Sequence, residues 1–303
     1  MNRRTATKII AAGSSTLLAH PAALLNKEQK MHTRLIPKSE IKIPVVGLGT
    51  WQSFDVGSSP QELTPLKEVL NILVDNGGSV IDSSPMYGRS EKVVGDLTTE
   101  LNLKEKIFEA TKVWTTGEQE GIAQMEDSVE LMKAHPMDLM QIHNLLDWRT
   151  HMKTLRKWKD AQKIKHIGIT HYHEGGYAEM EKIMKQEDID FIQINYNLAV
   201  RASANKILPL AKDRGIAVLI NRPYEGGRLF KATKNKTLPD WAQEFDAKTW
   251  GQFFLKFILA HEAVTCVIPG TSKPKHMKDN VQAGFGGLPN SKHQQKMIEL
   301  LQS

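Results

Sequence analysis

From residue 45 onward, short apolar bursts alternate with longer stretches in which apolar residues recur at helical spacing. Val45-Val46-Gly47-Leu48-Gly49 reads as a first strand. Leu66, Val69, Leu70, Leu73 and Val74 then follow the i, i+3, i+4, i+7, i+8 spacing of one buried helix face, which Gly77-Gly78 brings to an end. Ser79-Val80-Ile81 is the second strand, and six more are predicted over 107–113, 137–142, 164–169, 191–194, 216–220 and 264–268. Helical patterns separate them around 91–101, 121–134, 151–162, 177–186, 203–213 and 249–261. Each strand and helix together occupy about 30 to 40 residues, the size of a βα unit, so the strands should run parallel.

Eight such units without a break in rhythm predict a closed (β/α)8 TIM barrel, because closure leaves no exposed edge strand. Ahead of the barrel, Thr33-Arg34-Leu35-Ile36 and Ile41-Lys42-Ile43, joined by Pro37-Lys38-Ser39-Glu40, predict a β-hairpin capping one barrel end. Residues 292–301 predict an extra C-terminal helix. The division expected is a leader over 1–30 and a single barrel domain over 31–303.

Composition sharpens this picture at three points. The 303 residues are 40% hydrophobic and 24% charged, which excludes disordered and fibrous classes. The 40 basic and 34 acidic residues, net +6, are interleaved, so no nucleic-acid arm is present and the excess favours small anions such as a phosphate-bearing cofactor. The single cysteine, Cys266, lies in the apolar run Val264-Thr265-Cys266-Val267-Ile268, where it reads as a buried structural thiol and excludes cysteine-held zinc.

The first thirty residues have a different character. Arg3-Arg4 and Lys8 precede the weakly apolar, small-residue stretch 9–25, the order found in a signal peptide, and the paired arginines resemble a twin-arginine signal. Export to the periplasm is therefore expected, with the cytoplasm as the alternative. No other segment approaches the ~20 apolar residues of a membrane span.

Polar residues at the C-terminal ends of barrel strands are the ones that build active sites. Asp82 closes strand two, Tyr87 follows within Ser83-Ser84-Pro85-Met86-Tyr87-Gly88, Lys112 closes strand three and His143 closes strand four. Singly, each has an ordinary structural explanation; on three adjacent strands their chemistry interlocks. A phenol with a pKa near ~10 is a poor acid at neutral pH, and a Lys112 cation beside it is expected to lower that value while Asp82 orients the lysine. Tyr87 would then be the general acid and His143 the donor that fixes a carbonyl oxygen. This is carbonyl reduction, and it requires no metal. A metal-dependent hydrolase would need several His and Asp ligands at the strand ends, where Lys112 would repel a cation.

Together, Gly47-Leu48-Gly49-Thr50-Trp51, Ile81-Asp82-Ser83-Ser84-Pro85-Met86-Tyr87-Gly88, Thr111-Lys112-Val113-Trp114, Ile142-His143, Ile167-Gly168-Ile169-Thr170, Gln193-Ile194-Asn195-Tyr196 and Ile268-Pro269-Gly270-Thr271-Ser272 resemble the aldo/keto reductase family in content and order, over roughly residues 33–285. The resemblance implies NADPH-dependent reduction of a small aldehyde or ketone, with NADH as the alternative cofactor, and a catalytic tetrad of Asp82, Tyr87, Lys112 and His143. It implies that Thr170, His171 and Gln193 hold the nicotinamide carboxamide, and that Asn221 stands where an aromatic residue often underlies the nicotinamide ring. Thr271, Ser272 and Lys273 would take the adenosine phosphate and Asn280 the adenine. The chain departs from the family pattern at Thr170-His171, in place of serine-asparagine, at Gly270, in place of a lysine, and at His276, in place of an arginine.

Trp51 and Trp114 follow strands one and three and should line the mouth of the substrate pocket. The expected partner is a small carbonyl substrate, with no nucleic acid and no membrane span, and the chain is taken as a monomer or weak oligomer. A second reading keeps the barrel and the cofactor but assigns a sensing or regulatory subunit with negligible turnover.

Overall fold

The computed structural model describes residues 30–302; the leader expected over 1–30 falls, but for Lys30, outside the described residues. In chain order the elements are β1 (Thr33–Leu35), β2 (Lys42–Pro44), β3 (Leu48–Gly49), α1 (Pro60–Asp75), β4 (Val80–Asp82), α2 (Ser90–Glu100), β5 (Phe108–Val113), α3 (Glu118–Met132), β6 (Met137–Ile142) and α4 (Trp148–Asp160). They continue with β7 (Ile164–Thr170), α5 (Tyr177–Gln186), β8 (Phe191–Asn195), α6 (Ser203–Arg214), β9 (Ala217–Asn221), α7 (Arg228–Ala232), α8 (Trp250–Leu259), β10 (Cys266–Val267), α9 (Pro274–Gln282) and α10 (Ser291–Gln302).

Strands β3 to β10 pair in sequence order, all parallel, with the helices outside them. Bridges between Val46 and Val267 and between Gly49 and Gly270 join the first strand to the last, so the sheet closes into the expected (β/α)8 barrel. The seam is tight. A Cβ on Gly47 would stand 2.7 Å from the Val80 carbonyl oxygen, and one on Gly49 would stand 2.9 Å from that of Ile268. Both positions therefore require glycine. The seam strands are shorter than the apolar runs 45–49 and 264–268 predict, because the ladder there thins to single bridges and Pro269 has no N–H to contribute.

The antiparallel hairpin β1–β2 forms as expected, with Arg34 opposite Ile43. Ile36 and Ile43 are buried inside the barrel against Val80, Phe108, Leu139, Phe191 and Leu219. Val80, Phe108 and Phe191 begin their strands, so the hairpin stoppers the N-terminal end and leaves the C-terminal end open. Cys266 is fully buried in the same cluster, and burial pushes its thiol pKa well up, consistent with a structural role. The region 228–248, for which the sequence pattern predicted no element, contains α7 and a 3-10 turn over Asp240–Phe245. Among the described residues no helix is long and apolar enough to cross a membrane.

Candidate active site

Side chains alternate across a strand, so inward-facing residues lie two apart. Climbing each strand by two residues changes the barrel interior from apolar to polar: Val80 gives way to Asp82, Ala110 to Lys112, Leu139 to Gln141, Phe191 to Gln193 and Leu219 to Asn221. Lys112 and Gln141 sit opposite one another on adjacent strands, as do Asn195 and Asn221.

Asp82 is the hub of this polar layer. Its Oδ2 accepts from Lys112 Nζ at 2.7 Å, and its Oδ1 accepts from Gln141 Nε2 at 2.9 Å and Gln193 Nε2 at 2.8 Å. Lys112 Nζ donates further to the Ser83 carbonyl at 2.5 Å and lies 4.9 Å from the centroid of the Tyr87 ring. Both members of the pair are almost wholly removed from solvent, their side chains 0% and 3% exposed. A buried ion pair survives only when its remaining donors and acceptors are satisfied, and here the two glutamine amides and the Ser83 carbonyl do so.

Burial works to lower the Lys112 pKa, but Asp82 and the Tyr87 hydroxyl, to which the lysine hydrogen-bonds, outweigh it and leave the value raised, so Lys112 is a firm cation. The expectation for Tyr87 is corrected. Burial pushes its phenol up, the Lys112 charge pulls it only part of the way back, and the net shift is upward. Desolvation of a phenolate costs more here than one neighbouring cation returns. Tyr87 is therefore held as the protonated phenol, the form a proton donor needs.

His143 completes the group. It is buried, with its ring edge-on to Tyr87 at 5.9 Å between centroids and tilted against Trp114 at 6.3 Å. Burial, then the Lys112 charge, then His171, bring its pKa down to about 2, so it is a neutral imidazole at any working pH. Its Nδ1 is 3.0 Å from Ser84 Oγ. Trp51 and Trp114 are exposed, as residues at a mouth should be, and Met86 joins them.

The residues expected to hold the nicotinamide also converge. Thr170 is in register with Gln193, His171 N–H donates to the Gln193 carbonyl at 2.9 Å, and Asn221 Nδ2 donates to the His171 carbonyl at 3.2 Å and toward Gln193 Oε1 at 3.4 Å. Gln193 thus ties this group directly to Asp82. The departures from the family pattern are accommodated locally. Gly176 leaves room for the His171 ring, which a Cβ there would strike at 2.2 Å. Asn221 makes main-chain and side-chain hydrogen bonds in place of an aromatic face, and its Oδ1 is buried with no partner among the described residues.

Thr271, Ser272 and Lys273 lie apart from these, in the loop between β10 and α9. Thr271 Oγ1 accepts the Lys273 N–H at 3.0 Å, Lys273 occupies the N-cap position of α9, and its exposed side chain makes no bond among the described residues. Asn280 is buried and accepts from the Tyr224 hydroxyl at 2.6 Å, so the oxygen of its amide is already engaged.

Sequence reasoning missed Gln141 and Ser84. Gln141 had a visible signal, a polar residue within the apolar run of β6 at the same parity as Leu139. Ser84 had none, because nothing along the chain shows that its hydroxyl meets a histidine 59 residues away.

A model of the aldo/keto reductase family matches residues 45–299. The chain belongs to the aldo/keto reductase family. Among curated relatives, the methylglyoxal reductase YeaE of Escherichia coli is 25% identical over 250 residues, covering 80% of this chain and 85% of that protein. An NADH-specific methylglyoxal reductase of the same organism is 23% identical over 307 residues, covering 81% of this chain and 91% of the relative. In fold, this aldo/keto reductase superimposes on the Klebsiella pneumoniae enzyme solved with NADP and acetate with a TM-score of 0.74 at 20% identity, covering 90% and 95% of the two chains.

Proposed function

We propose that this aldo/keto reductase converts small aldehydes or ketones to alcohols with NADPH, NADH being the alternative cofactor, and that Tyr87 is the proton donor. The observation that carries the assignment is the buried Lys112, whose Nζ joins Asp82 to the Tyr87 phenol beneath an open mouth lined by Trp51 and Trp114. Two curated relatives are methylglyoxal reductases, which puts methylglyoxal on the first substrate panel.

The residues present fit a nicotinamide dinucleotide. The unpartnered Asn221 Oδ1 is an amide acceptor in want of a donor, which a carboxamide N–H would satisfy; His171 and Gln193 hold the amide nitrogen, and Thr170 is in register with Gln193. The N-terminus of α9 and the free Lys273, with Thr271 and Ser272, suit a phosphate, and Asn280 would face the adenine. The bound cofactor supplies hydride.

The chain's own groups perform the proton half of the reaction. Tyr87 and His143 both donate to the carbonyl oxygen, which fixes its position and favours charge on it. The Tyr87 proton passes to that oxygen, and the phenolate left behind faces the Lys112 cation, whose attraction is strong because water is excluded. Asp82, held by Gln141 and Gln193, keeps Lys112 in place through the transfer. The purified full chain should oxidise NADPH only when an aldehyde or ketone is present. Tyr87→Phe should retain NADPH binding while kcat falls by roughly 10²–10⁴, the span of general acid catalysis. Binding without turnover across the whole panel would instead favour a sensing subunit.

We further propose that the chain is exported to the periplasm by the twin-arginine route. The support is in the sequence, where Arg3-Arg4 and Lys8 precede a weakly apolar stretch. A chain carrying Arg3→Lys and Arg4→Lys should stay in the cytoplasm; unchanged fractionation would rule the route out.

A further inference from the structure

One hydroxyl in the polar layer has no task in the reaction as proposed. Ser84 is fully buried just beyond β4, and it touches both donors. Its carbonyl accepts the Tyr87 N–H at 2.9 Å, closing the turn that presents the phenol, and its Oγ is 3.0 Å from His143 Nδ1. The same Oγ accepts the Met86 N–H at 3.4 Å.

Proton accounting fixes the direction of the Ser84–His143 bond. A serine hydroxyl has one proton to give, and His143 Nδ1 is its only acceptor among the described residues. If Nδ1 carried a hydrogen and donated instead, the serine proton would be buried with no acceptor, an unfavourable arrangement. Ser84 is thus the donor and Nδ1 the acceptor. A neutral imidazole that accepts at one nitrogen bears its hydrogen on the other. Nε2, on the far edge of the ring, has no hydrogen-bond partner among the described residues and is left to donate outward.

We propose that Ser84 is a positioning residue that locks His143 as its Nε2–H tautomer, so that a neutral histidine presents a hydrogen to the carbonyl oxygen while the Ser84 main chain holds the turn bearing Tyr87. The inference rests on the carbonyl-reductase reading for its catalytic consequence, but not for the tautomer. Since His143 stays uncharged at working pH, it has a single hydrogen to offer, and the wrong tautomer would turn a lone pair toward the substrate oxygen.

The test uses the full chain labelled with ¹⁵N-histidine, without and with NADPH, in three forms: unaltered, Ser84→Ala and Ser84→Thr. In the unaltered chain the His143 Nδ1 resonance should show an unprotonated acceptor and Nε2 a bonded hydrogen. Ser84→Ala should shift Nδ1 and mix the tautomers. Its kcat/KM for a carbonyl should fall roughly 10–100-fold, the usual effect of removing a residue that orients a first-contact group, with the loss mainly in kcat. Ser84→Thr, which restores the hydroxyl, should recover both the spectrum and most of the rate. A hydrogen on Nδ1 in the unaltered chain overturns the proposal, even if the variants fail to fold. So does a Ser84→Ala enzyme with unchanged spectrum and rate. If the unaltered chain shows the Nε2–H spectrum but reduces no carbonyl, the tautomer assignment stands and the carbonyl-reductase reading fails.

Discussion

The lower and upper layers of the barrel interior come from the same strands, two residues apart, and act on stability in opposite directions. In the lower layer, Ile36 and Ile43 of the hairpin pack on Val80, Phe108, Leu139 and Phe191, removing apolar surface from water at no electrostatic cost. In the upper layer the same inward positions hold Asp82, Lys112, Gln141 and Gln193, all buried, where each charge taken from water must be offset by a directed bond. The barrel closes on its apolar floor and can therefore carry a charged ceiling. Chemistry is confined to the layer that contributes least to folding.

The sharpest way to break this contrast is Lys112→Met. Leaving Asp82 buried without its cation should destabilise the fold by roughly 3–5 kcal/mol and abolish turnover. Asp82→Leu added to it should return part of the stability and none of the activity, as read by denaturant unfolding beside NADPH oxidation. A Lys112→Met chain as stable as its parent would show that the upper layer is not the costly one.

The lower layer should behave in the converse way. Ile43→Ala is expected to cost roughly 2–5 kcal/mol in unfolding free energy while kcat changes by less than about twofold, since Ile43 packs in the apolar cluster and, among the described residues, makes no side-chain bond to the polar layer. A large fall in kcat at unchanged KM would mean the two layers are mechanically coupled.

At the solvent-facing end of the site the effects should shrink. Lys273→Ala removes one exposed cation from the N-terminus of α9 and should raise KM for NADPH by about tenfold, the equivalent of ~1.4 kcal/mol, leaving KM for NADH unaltered. Equal effects on both cofactors would place the phosphate elsewhere.

The smallest response should be to pH. Tyr87 has its phenol pKa raised by burial, and His143 lies at about 2, so neither changes protonation between pH 6 and 9. Reduction should be level across that window. Because the folded-state pKa of Tyr87 lies above the unfolded value, its contribution to stability is complete below the ordinary phenol range and fades only as pH rises through the raised value. A rate that falls severalfold between pH 6 and 8 would identify a different proton donor.

These two layers also explain what was legible in the sequence. The barrel was, because each βα unit announces itself by a change of period, and the plug was, because Ile36 and Ile43 flank a turn. The Asp82, Lys112 and His143 positions stood out as polar residues ending apolar runs, and the structure brings them together with Tyr87. Four things needed three dimensions. The direction of the Tyr87 shift depends on how much water burial removes, which no spacing records. Gln141 becomes meaningful only when register places it beside Lys112 on the inward face. The bonds made by Asn221 Nδ2 and Asn280 Oδ1, to His171 and Tyr224, span 50 and 56 residues. Likewise the shortened seam strands reflect contact between the first and last units, which local patterning does not contain.

The sealed thiol at the seam has a practical corollary. Cys266 is the chain's one cysteine and it is inaccessible, so a cysteine introduced beside Trp114 would be the sole site open to a thiol-directed fluorophore. Occupancy of the pocket mouth could then be followed spectroscopically, one molecule at a time, without first engineering away a native background.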